Sequence, residues 1–190
     1  MRILLIGAPG AGKGTQAAKI SEHYRITHIS SGDLLRKHVG DGTTIGRAVK
    51  QYVDRGDLVP DAFVMDMLRK PVVAANEGGG YVLDGFPRTI EQAEAAYATA
   101  RELGVSVQIA AFLDVPREEL IRRLLARGRG TDDTDEVIAH RLEIFDQHTK
   151  PMLDYYAERE ELVCVDGSPP PAEVTRSLLA QLDKVRPAIS

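Results

Sequence analysis

An apolar run that leads directly into a glycine-rich loop is the feature that most constrains the fold of this chain. The run reads RILLI, and residues 7–15, which follow it, read GAPGAGKGT. A short apolar run is typical of a buried strand, and a helical stretch begins at the lysine. A loop between a strand and a helix N-terminus directs backbone N–H groups at phosphate oxygens. The stretch therefore predicts a phosphate-binding loop at the edge of a parallel sheet.

Gly14 departs from the usual phosphate-binding pattern G-x-x-x-x-G-K-[ST], in which Ser or Thr follows the lysine. A bound Mg²⁺ often keeps several of its waters, so a hydroxyl at this position is not required. Lys13 would supply a mobile positive charge to the transferred phosphoryl group. A glycine-rich turn without a ligand is the alternative, and the strand before the loop and the helix after it argue against that alternative.

Four further apolar runs continue the pattern, separated by stretches of helical period: ITHIS, GYVLDG, VQIAAFLDV and LVCVD. A capping box at Thr89–Gln92 starts one helix, and Gly56 and Gly104 stand where helices end. The pattern predicts a single-domain α/β chain, a P-loop three-layer fold whose five-stranded parallel sheet carries helices on both faces. Helices are expected over 12–23, 32–39, 44–54, 62–75, 90–103, 117–127, 135–157 and 172–185.

Composition and charge argue against several classes of protein. The net charge of −4 and the lack of a dense Lys/Arg stripe argue against nucleic-acid binding. No membrane span is predicted, because no run approaches about 18 apolar residues, and the N-terminus lacks signal-peptide features, which predicts a cytoplasmic location. Cys164 is the only cysteine, so no disulfide is expected, and its run LVCVD predicts a buried core position.

Charged residues near predicted strand ends are candidates for a phosphate and metal site. Asp84 ends the strand in GYVLDG, where a P-loop enzyme carries its metal-orienting acid, although an Asp before Gly is often only a turn residue. Arginines bind phosphate with two parallel hydrogen bonds and keep their charge. Two groups of arginines stand out. The first is Arg36 with Arg88. The second lies around the polar stretch RGRGTDDTDE and consists of Arg123, Arg127, Arg129 and Arg141.

Residues 128–134 contain two glycines and no apolar side chain, which favours a short flexible hairpin between helices. Such a lid would expel water, a competing acceptor, from a bound triphosphate, whereas an ordinary helix connection is the alternative. The five histidines form no constellation with an acid and a nucleophile, so no catalytic base is evident. A phosphate acceptor needs no base, because its second pKa of about 6 makes it a dianion at neutral pH.

Six motifs in order resemble those of adenylate kinases: GAPGAGKGTQ, SSGDLLR, GDLVP, DGFPRTIEQ, RLLARGRG and DDTDEVIAHRL. Together they cover nearly the whole chain, and GKGT, with Gly14, is the form that this nucleoside monophosphate kinase family uses. The resemblance implies a P-loop core with two mobile inserts, a monophosphate-binding insert at 30–59 and a short lid at 126–136. It implies a monomeric enzyme that converts MgATP and AMP into two ADP and so maintains adenine nucleotide balance.

The resemblance also implies roles for individual residues. Lys13, Arg88, Arg129 and Arg141 would act on the transferring phosphoryl group, Asp84 would hold Mg²⁺ through water, and Gln92 would contact the edge of the acceptor adenine. The positions implied for ATP are Gly10, Ala11, Gly12, Lys13, Gly14, Thr15, Arg123, Arg127 and Pro169. The positions implied for AMP are Ser31, Arg36, Asp57, Leu58, Val59, Gly85, Phe86, Pro87, Arg88, Gln92, Arg129 and Arg141.

Alternatives stay open within this family and outside it. Most ATP-using members carry Thr where Ser31 stands, and GTP-using mitochondrial relatives carry Ser, so the donor base is open. Uridylate and cytidylate kinases carry Ala there and Asn near position 92, which favours AMP as the acceptor. The short lid lacks metal-binding cysteines, so no structural zinc is expected. A P-loop hydrolase would need a water-positioning residue, and a non-catalytic nucleotide-binding module would need neither arginine group.

Overall fold

The five apolar runs form one parallel sheet, as predicted. A computed structural model describes residues 1–128, 134–159 and 162–185. The strands are β1 (Arg2–Gly7), β2 (Thr27–Ser30), β3 (Tyr81–Asp84), β4 (Ile109–Asp114) and β5 (Leu162–Asp166). They lie in the order β2-β3-β1-β4-β5, and Leu4 of β1 aligns with Leu83 on one side and Ala110 on the other. β1 is therefore the central strand, and Ile3 to Ile6 are all buried, so side chains on both of its faces are covered. This explains why its apolar run is uninterrupted.

The helices agree with the predicted spans to within two residues at each end, except in one region. Within the described ranges they are α1 (Lys13–Tyr24), α2 (Ser31–Gly40), α3 (Thr44–Arg55), α4 (Asp61–Glu77), α5 (Ile90–Glu102), α6 (Arg117–Arg127), α7 (Asp135–Ile144), α8 (Met152–Ala157) and α9 (Pro171–Val185). None of these helices is both long and apolar enough to cross a lipid bilayer.

The single helix predicted over 135–157 is instead divided in two. A π turn, Phe145–Thr149, follows α7, and the N–H of Lys150 donates to the carbonyl oxygen of Phe145 at 2.8 Å. Pro151 comes next and has no N–H to continue the helical hydrogen bonds, so α8 starts only at Met152. The break places a wider turn of backbone beside the carboxyl edge of the sheet.

Helices cover both faces of the sheet because the chain crosses it in two directions. The step from β1 to β2 runs one way, and the steps from β2 to β3, β3 to β4 and β4 to β5 run the other way. Parallel crossovers are right-handed, so α1 lies on one face and α4, α5 and α8 lie on the opposite face. The contacts agree, since α1 packs on α9 and α5 packs on α8. The predicted α/β architecture is confirmed.

Cys164 is exposed, so the prediction of a buried core cysteine was wrong. It lies on β5, which is an edge strand of the sheet. Along β5 burial alternates, with Val165 buried and its neighbours Cys164 and Asp166 exposed. An apolar run indicates a strand but does not say that both of its faces are covered, and an edge strand has one face less covered.

Candidate active site

The candidate residues converge on the carboxyl edge of the sheet. The glycine-rich loop follows β1, Ser31 follows β2 directly, and Asp84 is the last residue of β3. The chain leaves β3, passes over β1 and enters β4 on its other side, so the connections diverge next to the loop. Ligands in open parallel sheets bind in the crevice formed at such a point.

Backbone geometry explains the glycines of the loop. Gly10 and Gly12 have φ values of 86° and 91°, in the left-handed region that only glycine adopts at little cost. A Cβ at Gly10 would also lie 2.9 Å from the carbonyl oxygen of Leu120, so a side chain has no room there. Gly12 caps α1 without a side-chain hydrogen bond. The positive end of α1 is therefore presented by backbone alone, as anion binding requires.

Lys13, the first residue of α1, folds back over the loop. Its Nζ donates to the carbonyl oxygens of Gly7 and Ala8 at 2.8 and 3.0 Å. Burial lowers the pKa of Lys13 to about 8, and the negative charge of Asp84 partly opposes this shift. The amine thus sits in a site that disfavours its charge until an anion is near.

Arginines from both predicted groups lie near enough to Lys13 to change its pKa. The positive charges of Arg88, Arg141 and Arg127 each lower the pKa of Lys13 further. Arg88 follows β3, whereas the other two lie on α6 and α7, so the fold brings the two groups together. Arg129, predicted to join them, lies outside the described residues. This concentration of positive charge favours binding of a highly charged anion such as a polyphosphate.

Contacts to the backbone fix Arg88 in place. Its Nε donates to the carbonyl oxygen of Gly85 at 2.8 Å, and the hydroxyl of Thr149 donates to the carbonyl oxygen of Arg88 at 2.8 Å. Burial lowers the pKa of Arg88, and Asp84 opposes this shift. Thr149 lies in the π turn, a geometry often found at functional sites. Sequence reasoning missed Thr149, because no sequence pattern announced the π turn that positions it.

Asp84 offers a buried carboxylate beside open space. Its side chain is mostly buried, and a Cβ at Gly14 would lie 3.9 Å from Oδ2 of Asp84. The missing side chain at Gly14 therefore leaves room next to the carboxylate for a hydrated cation. Nε2 of His28, a residue that sequence reasoning did not select, lies 3.8 Å from the same oxygen. In the described part of the chain, no three His, Cys, Asp or Glu side chains cluster in a way that could hold a metal.

Most of the positions implied for AMP line one cavity of about 60 Å³ beside α2 and α3. It combines apolar side chains such as Leu35 and Val64 with three arginines, a set that suits a base joined to a phosphate. Pro87 lines a neighbouring cavity that contains Lys13. The predicted residues that line the first cavity are Ser31, Arg36, Asp57, Leu58, Val59, Gly85, Phe86, Arg88, Gln92 and Arg141.

Ser31 has an unused hydrogen-bonding group in this cavity. The residue is 1% exposed, and its Oγ has no hydrogen-bond partner among the described residues. Gly85 lies against it with a φ of 86°, and a Cβ there would come within 2.6 Å of the Ser31 hydroxyl. A buried polar atom without a partner costs stability unless a ligand or water satisfies it. Its position is consistent with a polar contact to a ligand in the cavity.

A second cavity, of about 460 Å³, lies between the glycine-rich loop, α6 and the turn before α9. Six of the positions implied for ATP line it: Gly10, Ala11, Gly12, Thr15, Arg123 and Pro169. The other three positions implied for ATP, Lys13, Gly14 and Arg127, do not line it. The positions implied for the two nucleotides therefore line different cavities.

Glu119, which sequence reasoning missed, positions Arg123 in the second cavity. Nε of Arg123 donates to Oε1 of Glu119 at 2.7 Å, and a terminal nitrogen of Arg123 donates to the carbonyl oxygen of Ser168 at 3.0 Å. Hydrogen bonds from Arg122 and Arg123 lower the pKa of Glu119 to about 2. The four-residue spacing of Glu119 and Arg123 on one helix was a signal that could have identified this pair.

Sequence reasoning also missed a contact between α7 and the segment that follows α3. Nε2 of His140 lies 2.7 Å from Oδ1 of Asp57. The two residues are far apart in the sequence, and neither has a local pattern that indicates the other. The contact joins one wall of the first cavity to the helix that carries Arg141.

Comparison with known proteins agrees with this geometry. The profile of the family described as "Adenylate kinase" matches residues 5–161 of the chain. The chain belongs to the adenylate kinase family. As a member of this family it is an enzyme of the kinase class, and the phosphate-binding loop and arginine cluster are the features expected of such an enzyme.

Individual adenylate kinases are similar to the chain over nearly its full length. The adenylate kinase of Trichodesmium erythraeum is 39% identical over 190 residues, covering 97% of this chain and 99% of that protein. That of Leptospira biflexa is 44% identical over 185 residues, covering 95% and 99%. That of Rhodococcus erythropolis is 41% identical over 184 residues, covering 97% and 100%.

Proposed function

We propose that the protein catalyses reversible transfer of the terminal phosphoryl group of ATP to AMP, giving two ADP. One observation carries this proposal. Arg88 and Arg141 line both the first cavity, which we call the acceptor cavity, and the adjoining cavity that contains Lys13. A phosphoryl group between these side chains would be in reach of a nucleotide on either side. Positioning and charge neutralisation are the main requirements of phosphoryl transfer, and this arrangement supplies both.

The donor binds with its phosphates along the loop and its base toward the second cavity. Gly10–Thr15 contribute backbone N–H groups, and Lys13 moves from its loop carbonyls to the phosphate that is transferred. Arg123, held between Glu119 and Ser168, packs against the donor base or its phosphates. Arg127 adds positive charge near the same phosphates, and Arg129 acts on the phosphoryl group that is transferred. Pro169 approaches the donor base through its backbone.

The acceptor binds in the first cavity with its phosphate toward Lys13. Arg36, Arg88 and Arg141 hold that phosphate, and Ser31 uses its free hydroxyl in the cavity. Gln92 contacts the base. The acceptor phosphate is already a dianion at neutral pH, so no side chain has to remove a proton from it.

Asp84 is the residue that would orient Mg²⁺ through water, in the space beside Gly14. When bound, the cation neutralises charge on the donor phosphates. The insert at 30–59 and the lid at 126–136 close over the two nucleotides and exclude water, the competing acceptor.

The proposal is tested by product analysis with ATP or GTP as donor and AMP, CMP, UMP or GMP as acceptor, with Mg²⁺ present. We expect rapid formation of ADP with ATP and AMP together, and little loss of ATP when no acceptor is added. Efficient transfer from GTP to AMP would move the protein to the GTP-using branch of the family. Equal loss of ATP with and without an acceptor would make it a hydrolase and overturn the proposal.

The depressed pKa of Lys13 predicts that the affinity for ATP falls as the pH rises through about 8. The protonated amine binds phosphate. With a pKa of about 8 it is half protonated near pH 8 and loses its charge as the pH rises further, well below the ordinary lysine value of 10.5. Calorimetric titration with ATP between pH 7 and pH 10 should show weakening affinity with proton uptake on binding. The Lys13→Met variant should lack this step, and constant wild-type affinity from pH 7 to pH 9 would contradict the prediction.

A further inference from the structure

Both ends of the Gln92 side-chain amide have hydrogen-bond partners within the protein. Its Oε1 accepts a hydrogen bond from the backbone N–H of Arg88 at 2.8 Å, and its Nε2 donates to Oδ1 of Asp61 at 2.7 Å. Gln92 is 3% exposed and lines the cavity, whereas Asp61, the first residue of α4, does not line it. Asp61 therefore contacts Gln92 without lining the cavity itself.

These two partners fix which end of the amide is oxygen and which is nitrogen. The N–H of Arg88 can only donate, and a carboxylate oxygen of Asp61 can only accept. Rotating the Gln92 amide by 180° would set its oxygen against the carboxylate and its NH₂ against an N–H. Both contacts would then be repulsive. Thr89 restrains the backbone as well, because its hydroxyl accepts from the N–H of Gln92 at 3.2 Å.

We propose that Asp61 is a positioning residue that sets the base preference of the acceptor site by locking the orientation of the Gln92 amide. The inference rests on the proposed function, since it assumes that the base of an acceptor nucleotide meets Gln92. The locked amide keeps one N–H on Nε2 and one lone pair on Oε1 for the ligand. It therefore offers a donor and an acceptor in a fixed order.

That order matches a base edge in which an amino group lies next to a ring nitrogen that accepts. Adenine has this edge: its amino group donates to the amide oxygen, and its ring nitrogen accepts from the amide NH₂. A 6-oxo purine has a carbonyl oxygen next to a ring N–H, which is the reverse order. Such a base would need the rotated amide that Asp61 disfavours. A site that leaves buried polar groups unpaired rejects the wrong ligand strongly.

A purely structural role for Asp61 is the competing explanation, because it lies in the first turn of α4, where negative charge stabilises a helix. Glu173 offers a matched control, since it is an exposed acid in the first turn of α9 and does not line the acceptor cavity. Removing either charge weakens a helix N-terminus to a similar degree. Only removal of the Asp61 carboxylate frees the Gln92 amide.

The test compares AMP with inosine monophosphate, a purine nucleotide whose 6-position carries oxygen instead of an amino group. With ATP as donor, kcat/KM for each acceptor is measured for the wild type, Asp61→Asn, Asp61→Ala and Glu173→Gln, together with each melting temperature. We expect Asp61→Ala to lower the AMP to inosine monophosphate ratio at least tenfold, mainly through KM for AMP. Asp61→Asn should lower it less, because the Asn amide oxygen can still accept from Nε2 of Gln92. Glu173→Gln should leave the ratio unchanged.

A ratio that stays within twofold of the wild type in Asp61→Ala would overturn the inference, whatever happens to its melting temperature. A fall of the ratio in Glu173→Gln equal to that in the Asp61 variants would overturn it too, because a helix effect would then explain the result. The proposed function fails separately, if the wild type does not phosphorylate AMP at all.

Discussion

Replacing Lys13 by Met is expected to reduce kcat for transfer from ATP to AMP by about 10³-fold, the upper range for loss of one positioned group that stabilises transition-state charge. Lys13 lines the cavity that adjoins the acceptor cavity, and its amine donates to the carbonyl oxygen of Gly7 in the glycine-rich loop. In the proposed complex this amine contacts the phosphoryl group that is transferred. Met keeps the length and the apolar stem of the side chain. Steady-state kinetics at saturating ATP and AMP measure the effect.

The fold should survive the Lys13→Met change, because burial already disfavours the charge of this amine, as its lowered pKa shows. Thermal unfolding followed by circular dichroism checks that expectation. Lys19→Met is the matched control: Lys19 is on the same helix but exposed, in a surface ion pair with Glu22. The control should keep wild-type kinetics. A near-normal kcat in Lys13→Met would refute the assignment of the loop as the donor phosphate site.

Arg88→Ala is expected to lower kcat by about 10²- to 10³-fold, as loss of a charge partner in the transition state does. Arg88 lines both the acceptor cavity and the cavity with Lys13, so its guanidinium is placed to contact the phosphoryl group throughout transfer. The measurement is kcat and KM for AMP at saturating ATP. The loss should appear in kcat and in kcat/KM together.

Arg101→Ala serves as the control for this prediction, because Arg101 is exposed in the last turn of α5, the helix that begins shortly after Arg88. It should leave both constants unchanged. If Arg88→Ala raised KM for AMP and left kcat intact, Arg88 would bind the acceptor without acting on the transferring group. That result would remove it from the catalytic set and leave it among the binding residues.

Local sequence patterns were sufficient to predict the sheet and most of the helices. The strands are short and, except for β2, mostly apolar. The Thr89 hydroxyl accepts from the N–H of Gln92, which is half of the predicted capping box, but the Gln92 side chain accepts from the N–H of Arg88 instead of that of Thr89. The division of 135–157 was not foreseen, because helical periodicity continues through the π turn and Pro151 was not treated as a break. Cys164 was misplaced because an apolar run does not distinguish an edge strand from a central one.

The site was predictable where residues sit in a motif and unpredictable where contacts join distant segments. The loop, Asp84 and the arginines were predicted because parallel strands direct their carboxyl ends to one edge. Asp61 was missed because it lies 31 residues from Gln92, and a lone acid at a helix start has a sufficient local explanation. The role of Arg129, the monomeric state and the cytoplasmic location stay predictions.

Transfer of the terminal phosphoryl group directly from ATP to AMP is the central claim, and radiolabelled ATP tests it most directly. The purified protein is incubated with Mg²⁺ and ATP labelled in its γ-phosphate, with and without AMP, and labelled ADP and labelled inorganic phosphate are quantified. The proposed reaction predicts that label enters ADP in proportion to the ATP consumed and only when AMP is present. Label released as inorganic phosphate at the same rate with and without AMP would contradict it.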